Sequence, residues 1–270
     1  MFRKIGFIGT GVMGGAVARI AAVGAPEATI YLANRRSEKA AALAREIPGA
    51  RVTANEEVAT TCDLIFLAVK PQVMPRVLTE LAGVLAARRE PFVLATMAAG
   101  LTIGTIRQLA GGDYPVIRMM PNTPITVGAG AIQYCGEGVT DEHLSDFAAL
   151  LRGAGTVDEL PEHLIDAASA LSGCGPAFVC QFIEALADGG VACGLPRQKA
   201  LAYAAQVLEG TARMVRLSGE HPGVLKDRVC SPAGSTIQGV RALESAGFRG
   251  AAMEAVIAAY EKNLELKAGK

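Results

Sequence analysis

The sequence predicts an α/β protein, in which a doubly wound parallel sheet at residues 1–160 is followed by an all-helical domain at residues 161–270. In the first part, short apolar runs alternate with helical patterns. The runs are rich in β-branched residues and lack polar alternation, which is typical of strands covered on both faces. From about Glu162 onward the strand signals stop, and apolar residues recur at helical spacing.

The elements of the first domain follow in order from these patterns. Strands are predicted at residues 4–9, 29–34, 51–54, 63–69, 91–98 and 115–120, with further edge strands at 130–135 and 156–160. Helices are predicted at residues 14–24, 37–47, 74–86 and 102–111. Ser37 is expected to cap the second of these helices. Such alternation builds parallel β-α-β units.

The second domain is predicted to be helical at residues 165–194, broken by "GCGP", and at 197–219, 236–247 and 250–267. These helices are apolar around most of their circumference, so they lie in a deep core or against another subunit. A homodimer through the C-terminal helices is therefore expected, with a large monomeric bundle as the alternative. A dimer and a decamer built from dimers both fit the sequence.

Composition excludes several classes of function. The chain has 270 residues, 51% of them hydrophobic, and a formal net charge of zero, which argues against a nucleic-acid partner. Every apolar run of about 18 or more residues is interrupted by a charged residue, proline or glycine, so no membrane span is predicted. The glycine-rich start does not resemble a secretory signal. Six cysteines without a C-x-x-C pair and only three histidines predict reduced thiols and no metal site. We expect a cytoplasmic protein.

The stretch "IGFIGTGVMGG" (5–15) carries the clearest motif, in which Gly9, Gly11 and Gly14 form G-x-G-x-x-G between a strand and a helix. The first glycine permits a tight turn, the second lets the backbone approach a pyrophosphate, and the third lets helix and strand pack closely. This context predicts a Rossmann-type dinucleotide site. Its candidate cofactor contacts also include Thr10, Val12 and Met13.

The end of the second strand favours NADP(H) over NAD(H), with NAD(H) as the alternative cofactor. An acidic residue that binds the ribose hydroxyls is expected about 20 residues after the glycines. This chain has Asn34 there, followed by Arg35, Arg36 and Ser37. Guanidinium groups attract a 2′-phosphate, which a carboxylate would repel.

Further candidate cofactor residues follow the carboxyl ends of strands, where such sheets bind ligands. One group is Ala68, Val69, Lys70 and Pro71, and another is Pro121 and Asn122. The loop "MAAG" (97–100) belongs to the same edge. Asn55 is a candidate for the adenosine side, and a helix cap explains it equally well.

The stretch "CSPAGST" (230–236) is a turn of small residues that opens a helix and carries no charge. Successive backbone amides at a helix N-terminus can hold a small carboxylate, and Ser231, Ser235 and Thr236 add hydroxyl groups. From the residues alone, an ordinary capped helix start is an equal alternative.

The stretch "PGVLKDRVCSPAGSTIQGVRALE" (222–244) closely resembles the signature of pyrroline-5-carboxylate reductases. "LSGCGPAFV" (171–179), "ADGGVACGLPRQKA" (187–200), the glycine fingerprint, "AVKP" and "PNTP" are similar to the same family, so the resemblance spans essentially the whole chain. Ala233 departs from the family, which often has glycine there, and alanine fits only if its φ is not positive.

This resemblance implies reduction of 1-pyrroline-5-carboxylate to L-proline with NAD(P)H, the last step of proline synthesis. It implies that residues 231 and 233–236, namely Ser231, Ala233, Gly234, Ser235 and Thr236, bind the substrate carboxylate. It also implies that Thr236 is the catalytic residue, hydrogen-bonded to the imine nitrogen or the carboxylate. A protonated imine already attracts hydride, so the site needs alignment and exclusion of water rather than a strong acid.

Two rival functions make different demands on the sequence. A β-hydroxyacid dehydrogenase is expected to carry a lysine on its first long C-terminal helix, and "PAFVCQFIEALADGG" has none. An imine reductase of the same broad class remains an alternative. A non-catalytic NADP-sensing or scaffold protein would not need both the fingerprint and the 231–236 turn.

Overall fold

A computed structural model describes residues 1–267, which group into two compact units. Unit 1 contains Met1–Gly173 and the chain from Ala259 onward, and unit 2 is Cys174–Ala258. The division of the chain into functional domains at residue 160 stays a prediction.

Unit 1 is built on one eight-stranded sheet. Its strands are β1 (Lys4–Ile8), β2 (Thr29–Ala33), β3 (Arg51–Thr53), β4 (Leu64–Leu67), β5 (Val93–Thr96), β6 (Val116–Pro121), β7 (Gly130–Glu137) and β8 (Gly155–Glu159). Their spatial order is β3-β2-β1-β4-β5-β6-β7-β8. The order reverses between β1 and β4, which is where ligands bind in doubly wound sheets.

The predicted doubly wound, mainly parallel sheet is confirmed, and the one antiparallel pair among its described strands is β6 with β7. The chain between them holds only a 3₁₀ turn at Thr123–Val127, and a parallel return needs a longer crossover. Strand β7 is also not an edge strand, because β8 pairs with it in parallel on its other side.

The helices cover both faces of this sheet and form most of unit 2. They are α1 (Val12–Gly24), α2 (Ser37–Ala44), α3 (Asn55–Thr61), α4 (Met74–Ala86), α5 (Ile103–Ala110), α6 (Asp141–Leu150), α7 (Glu162–Ser172), α8 (Gly175–Ala192), α9 (Arg197–Ser218), α10 (Pro222–Arg228), α11 (Ser235–Ser245) and α12 (Phe248–Lys267). Helices α3, α6 and α10 were not predicted. Ser37 is the first residue of α2 and not its cap, which is Arg36.

Two apolar clusters pack against the sheet, one on each face. In the first, Phe7 and Phe66 stack in neighbouring strands with ring centroids 4.6 Å apart. The second includes Ile65 and Leu67 with Leu78 and Leu81 of α4. Because strand residues point alternately to opposite faces, the unbroken apolar runs supply both clusters.

Unit 2 buries little of its apolar surface within one chain. Its buried cluster consists of Ala187, Ala200 and Ala204, and no residue of α11 or of the described α12 is buried. Large apolar side chains such as Tyr203, Val207 and Met253 are 56%, 58% and 62% exposed. An apolar surface of this kind marks a protein contact.

By length and composition alone, the helical stretch at residues 162–192 could cross a membrane. In its most apolar segment of 18 residues, 11% of the residues are buried. A core or interface helix of a soluble protein passes the same test. Within the stretch, α7 ends at Ser172 and α8 begins at Gly175. The absence of a membrane partner stays a prediction.

Candidate dinucleotide and carboxylate sites

The glycine-rich turn after β1 is held by backbone contacts. Gly9 has a φ of +106° and donates from its amide to the Ala33 carbonyl over 2.8 Å. A Cβ on Gly9 would lie 2.6 Å from the Ala68 carbonyl oxygen. The turn therefore lies directly beside the end of β4, at the point where the strand order reverses.

Asn34 ties this turn to the loop after β2. Its Oδ1 accepts from the Thr10 amide over 3.2 Å, and its Nδ2 donates to the Arg36 carbonyl over 2.9 Å. The Thr10 hydroxyl is buried and has no hydrogen-bond partner among residues 1–267. A phosphate bound at the start of α1 is the kind of acceptor that this hydroxyl lacks, so the turn fits a dinucleotide.

A cavity of about 440 Å³ opens beside this turn and brings together predicted residues from four loops. Its predicted lining residues are Gly9, Gly11, Asn34, Arg35, Arg36, Asn55, Ala68, Val69 and Lys70. Asn55, the first residue of α3, faces the cavity, while the cap of that helix is Ala54.

The cavity is strongly cationic. Beyond Arg35, Arg36 and Lys70, it is lined by Lys39 and Arg76, which the sequence analysis missed. None of these five side chains forms an ion pair within the described part of the chain. The other lining residues that were not predicted are Ile8, Val73, Val77 and Glu80, which is the single carboxylate of the lining. A ligand with several phosphate charges suits this balance.

Other predicted cofactor residues are outside the lining of this cavity. Thr10, Val12, Met13 and Gly14 belong to the turn and first helix, and Ser37, Pro71, Pro121 and Asn122 lie in neighbouring segments. Asn122 is 8% exposed, and both ends of its amide are used. Its Nδ2 donates to the Ser172 carbonyl over 3.0 Å, and its Oδ1 accepts from the Ala131 amide over 2.8 Å. These bonds give Asn122 a structural role at the end of α7.

In unit 2, residues 231–234 form a turn closed by the Gly234 amide, which donates to the Ser231 carbonyl over 3.0 Å. Pro232 at the second position and a φ of +58° at Ala233 are the features of a type II turn. Ala233 is the only non-glycine residue with a positive φ among residues 1–267. The sequence analysis expected alanine to fit here only if its φ were not positive, so Ala233 is strained.

The turn leads into α11, whose cap is Gly234. Glycine has no side chain to accept from the first amides of the helix, so those of Ser235 and Thr236 stay available. Ser231, Ser235 and Thr236 are all exposed in the single chain. The stretch therefore presents amides and hydroxyls together without any charged side chain, which is the donor set for a small carboxylate.

The buried thiols are not candidate nucleophiles. Burial raises the pKa of Cys62 to about 12 and that of Cys135 to about 11. Since the thiolate is the reactive form, both groups are inert at neutral pH.

Comparison with known proteins agrees with this division of the sites. Residues 162–266 match the sequence profile described as pyrroline-5-carboxylate reductase dimerisation. Residues 4–99 match the profile described as NADP oxidoreductase, coenzyme F420-dependent. The first match covers the 231–236 turn, and the second covers the glycine-rich turn and the cationic cavity.

Individual relatives match along the whole chain. The pyrroline-5-carboxylate reductase of Escherichia coli is 40% identical, with 98% of this chain and 99% of the relative covered. That of Arabidopsis thaliana is 42% identical, with 97% and 95% covered. The crystal structure of Plasmodium falciparum pyrroline carboxylate reductase with NADP bound superimposes with a TM-score of 0.85 at 32% identity, covering 98% of each chain. The chain belongs to the pyrroline-5-carboxylate reductase family.

Proposed function

We propose that this protein reduces 1-pyrroline-5-carboxylate to L-proline with a nicotinamide cofactor, the final step of proline biosynthesis. The observation that carries the proposal is the relation to reductases of this name over 98% and 97% of the chain. That relation includes the dinucleotide turn of unit 1 and the carboxylate turn of unit 2. A protein that only senses a nucleotide would not need the second feature.

NADP(H) is the proposed cofactor in preference to NAD(H). Arg35, Arg36 and Lys39 line the cavity beside the end of β2, where Asn34 replaces the usual carboxylate. Guanidinium groups bind phosphate through paired hydrogen bonds, and a carboxylate at this position would select for free ribose hydroxyls. The NADP bound in the Plasmodium relative supports the same preference.

The reaction requires that the cofactor and the substrate are both oriented. When bound, the reduced nicotinamide supplies the hydride. The amides of Ser235 and Thr236 and the Ser231 hydroxyl would hold the substrate carboxylate. The Thr236 hydroxyl would hydrogen-bond the imine nitrogen or the carboxylate and so orient the ring. The imine carbon gains the hydride, the nitrogen carries the proton, and the C=N bond becomes a single bond.

The test is oxidation of NADPH, followed by absorbance, on addition of pyrroline-5-carboxylate to the purified protein, with NADH in parallel. We expect proline to form faster with NADPH. The Thr236→Ala variant should lose about 100-fold in kcat, as expected when an orienting contact at the reacting group is lost, while its affinity for NADPH stays unchanged. Thr236→Ser keeps the hydroxyl and should retain most activity. Unchanged turnover in Thr236→Ala would remove Thr236 from the mechanism.

The proposed assembly is a homodimer formed through the exposed apolar faces of α8, α9, α11 and α12. The match to a dimerisation profile over residues 162–266 supports it, and dimers of this kind can associate further into a decamer. Light scattering on the purified protein measures the mass directly. The six cysteines are free thiols in the structure, which fits the reducing cytoplasm as the proposed location.

A further inference from the structure

A fully buried ion pair joins the sheet of unit 1 to α7. Arg118 of β6 has 0% exposure and binds Asp166 of α7, which is 3% exposed. The second carboxylate near Arg118 is Glu162, at 3.5 Å. Removing two charges from water is costly, and the cost is offset only when further partners complete the network.

Asp166 has two further partners, both from the last turn of α12, while the Nε of Arg118 has none among the described residues. The Lys267 ammonium lies 3.4 Å from the Asp166 carboxylate, and the Asn263 side-chain amide donates to the Asp166 carbonyl over 3.0 Å. Two side chains four residues apart on one helix face thus converge on a single residue. This arrangement anchors the end of α12 at the buried pair.

The same network reaches the loop between β5 and α5, residues 97–102. Glu162 accepts from the Ile103 amide over 2.8 Å and so holds the start of α5. Gly100 has a φ of +77°, and a Cβ placed there would lie 3.4 Å from backbone atoms of Leu266. The last turn of α12 therefore packs directly on this loop.

The loop follows the carboxyl end of β5, two strands away from the glycine-rich turn of β1. The cationic cavity is lined by residues that follow β2, β3 and β4, and under the proposed function it takes the adenosine half of the dinucleotide. A dinucleotide lies across the crevice at the reversal point, so its other half extends over β4 and β5. The loop that α12 contacts is on that side.

We propose that the last turn of α12, anchored through Asn263 and Lys267 to Asp166, positions the 97–102 loop and thereby the nicotinamide half of the bound cofactor. The inference rests on the proposed function. Asn263 and Lys267 are positioning residues in this account, since they act through the loop and contact neither substrate nor cofactor. The adenosine half is held by the separate cationic cavity and does not depend on them.

The test compares two double variants of the full chain. Asn263→Ala/Lys267→Met removes both α12 contacts to Asp166. Glu261→Ala/Lys262→Met is the matched control. It changes two polar residues of the same helix, and the ion pair of Lys262 is with Glu265 of α12 and not with Asp166. Variants of Arg118 or Asp166 are avoided, since breaking a buried pair leaves an uncompensated charge in the interior and destabilises the whole sheet.

The affinities for NADPH and for adenosine 2′,5′-bisphosphate are measured by titration, together with kcat. We expect the Asn263/Lys267 variant to bind NADPH about fivefold to tenfold more weakly, within the range for coupling through a packed network. Its affinity for the bisphosphate should match the wild type, and its kcat should fall. The control should resemble the wild type in all three quantities.

An equal loss of affinity for both ligands, or no loss for either, would overturn the inference. The proposed function is judged separately, by turnover of pyrroline-5-carboxylate in the wild type. A wild type that binds NADPH but leaves this substrate unreduced would refute the reaction, while the two affinities still decide the inference. A wild type that does not bind NADPH would overturn both.

Discussion

A Cβ placed on Gly14 would lie 2.3 Å from the carbonyl oxygen of Gly9, so the first turn of α1 packs on the preceding loop at a distance that only glycine permits. Gly11 is different, because no described atom beyond its neighbours in the chain lies within 4 Å of a Cβ built there. Its φ of −72° and ψ of −171° are open to alanine. Packing within the protein therefore does not require glycine at position 11.

The two glycines should therefore respond oppositely to alanine. Gly14→Ala is expected to destabilise the fold by about 1–3 kcal/mol through overpacking, seen as a lower thermal midpoint. Gly11→Ala should melt like the wild type but lose at least about tenfold in NADPH affinity, equivalent to about 1.4 kcal/mol, because its methyl group occupies the space that a pyrophosphate approaches. Wild-type NADPH binding by Gly11→Ala would contradict this assignment.

The strained alanine in the carboxylate turn gives a second prediction. Alanine in the left-handed region is strained by about 1–2 kcal/mol. Glycine removes this strain, but it also raises the conformational entropy of the unfolded chain, which offsets part of the gain in stability. We expect Ala233→Gly to raise the stability by up to about 1 kcal/mol, or a few degrees in thermal midpoint. Ala246→Gly at the end of α11, where φ is −82°, is the control and should lower it. A lower midpoint for Ala233→Gly would show that the positive φ is not strained.

The buried thiol of Cys62 should make stability fall at alkaline pH. Burial raises its pKa from 9.0 to about 12 in the folded state. The folded protein therefore holds the proton where the unfolded chain has lost it, so stability is present below pH 9 and is lost as pH rises from 9 toward 12. The slope for one proton is about 1.4 kcal/mol per pH unit.

Urea unfolding between pH 8 and pH 10.5 measures this slope. Cys62→Ala should flatten the alkaline fall by the contribution of one proton. The matched control is Cys193→Ala, which removes an exposed thiol and should leave the slope unchanged. Equal slopes in wild type and Cys62→Ala would refute the linkage.

Cofactor choice is predicted to depend on the arginines after β2. Arg35→Ala or Arg36→Ala should raise KM for NADPH by about tenfold or more, since a hydrogen bond between charged groups contributes about 1.5–3 kcal/mol. KM for NADH should change far less. Arg45→Ala, at the opposite end of α2 and outside the cavity, is the control. Parallel losses for both cofactors in both variants would end the 2′-phosphate argument.

Some of these features can be predicted from the sequence, and others depend on tertiary structure. The glycine fingerprint is legible because each glycine has a backbone task at a fixed spacing. The positive φ of Ala233 could have been predicted from the sequence "SPAG". Proline at the second position of a turn favours a type II turn, in which the third residue has a positive φ. Arg76 and Glu80 had no signal, because only the packed position of α4 brings them to the cavity.

The errors in the fold have similar causes. Helix α3 is short, and "NEEVATT" shows little apolar periodicity, so only Val58 and Ala59 anchor it. The antiparallel β7 was indicated by the short connection after Pro121, which cannot hold a crossover helix. The anchoring of α12 at Asp166 joins residues about 100 positions apart and depends on tertiary structure alone.

Hydride transfer to the imine carbon of pyrroline-5-carboxylate can be followed by isotope labelling. The purified protein is incubated with the substrate and with NADPH that carries deuterium at the transferable position of C4, and the product is analysed by mass spectrometry. We expect L-proline with one deuterium on C5, in amounts equal to the NADPH consumed. NADPH oxidation without labelled proline, or no consumption of NADPH, would contradict it.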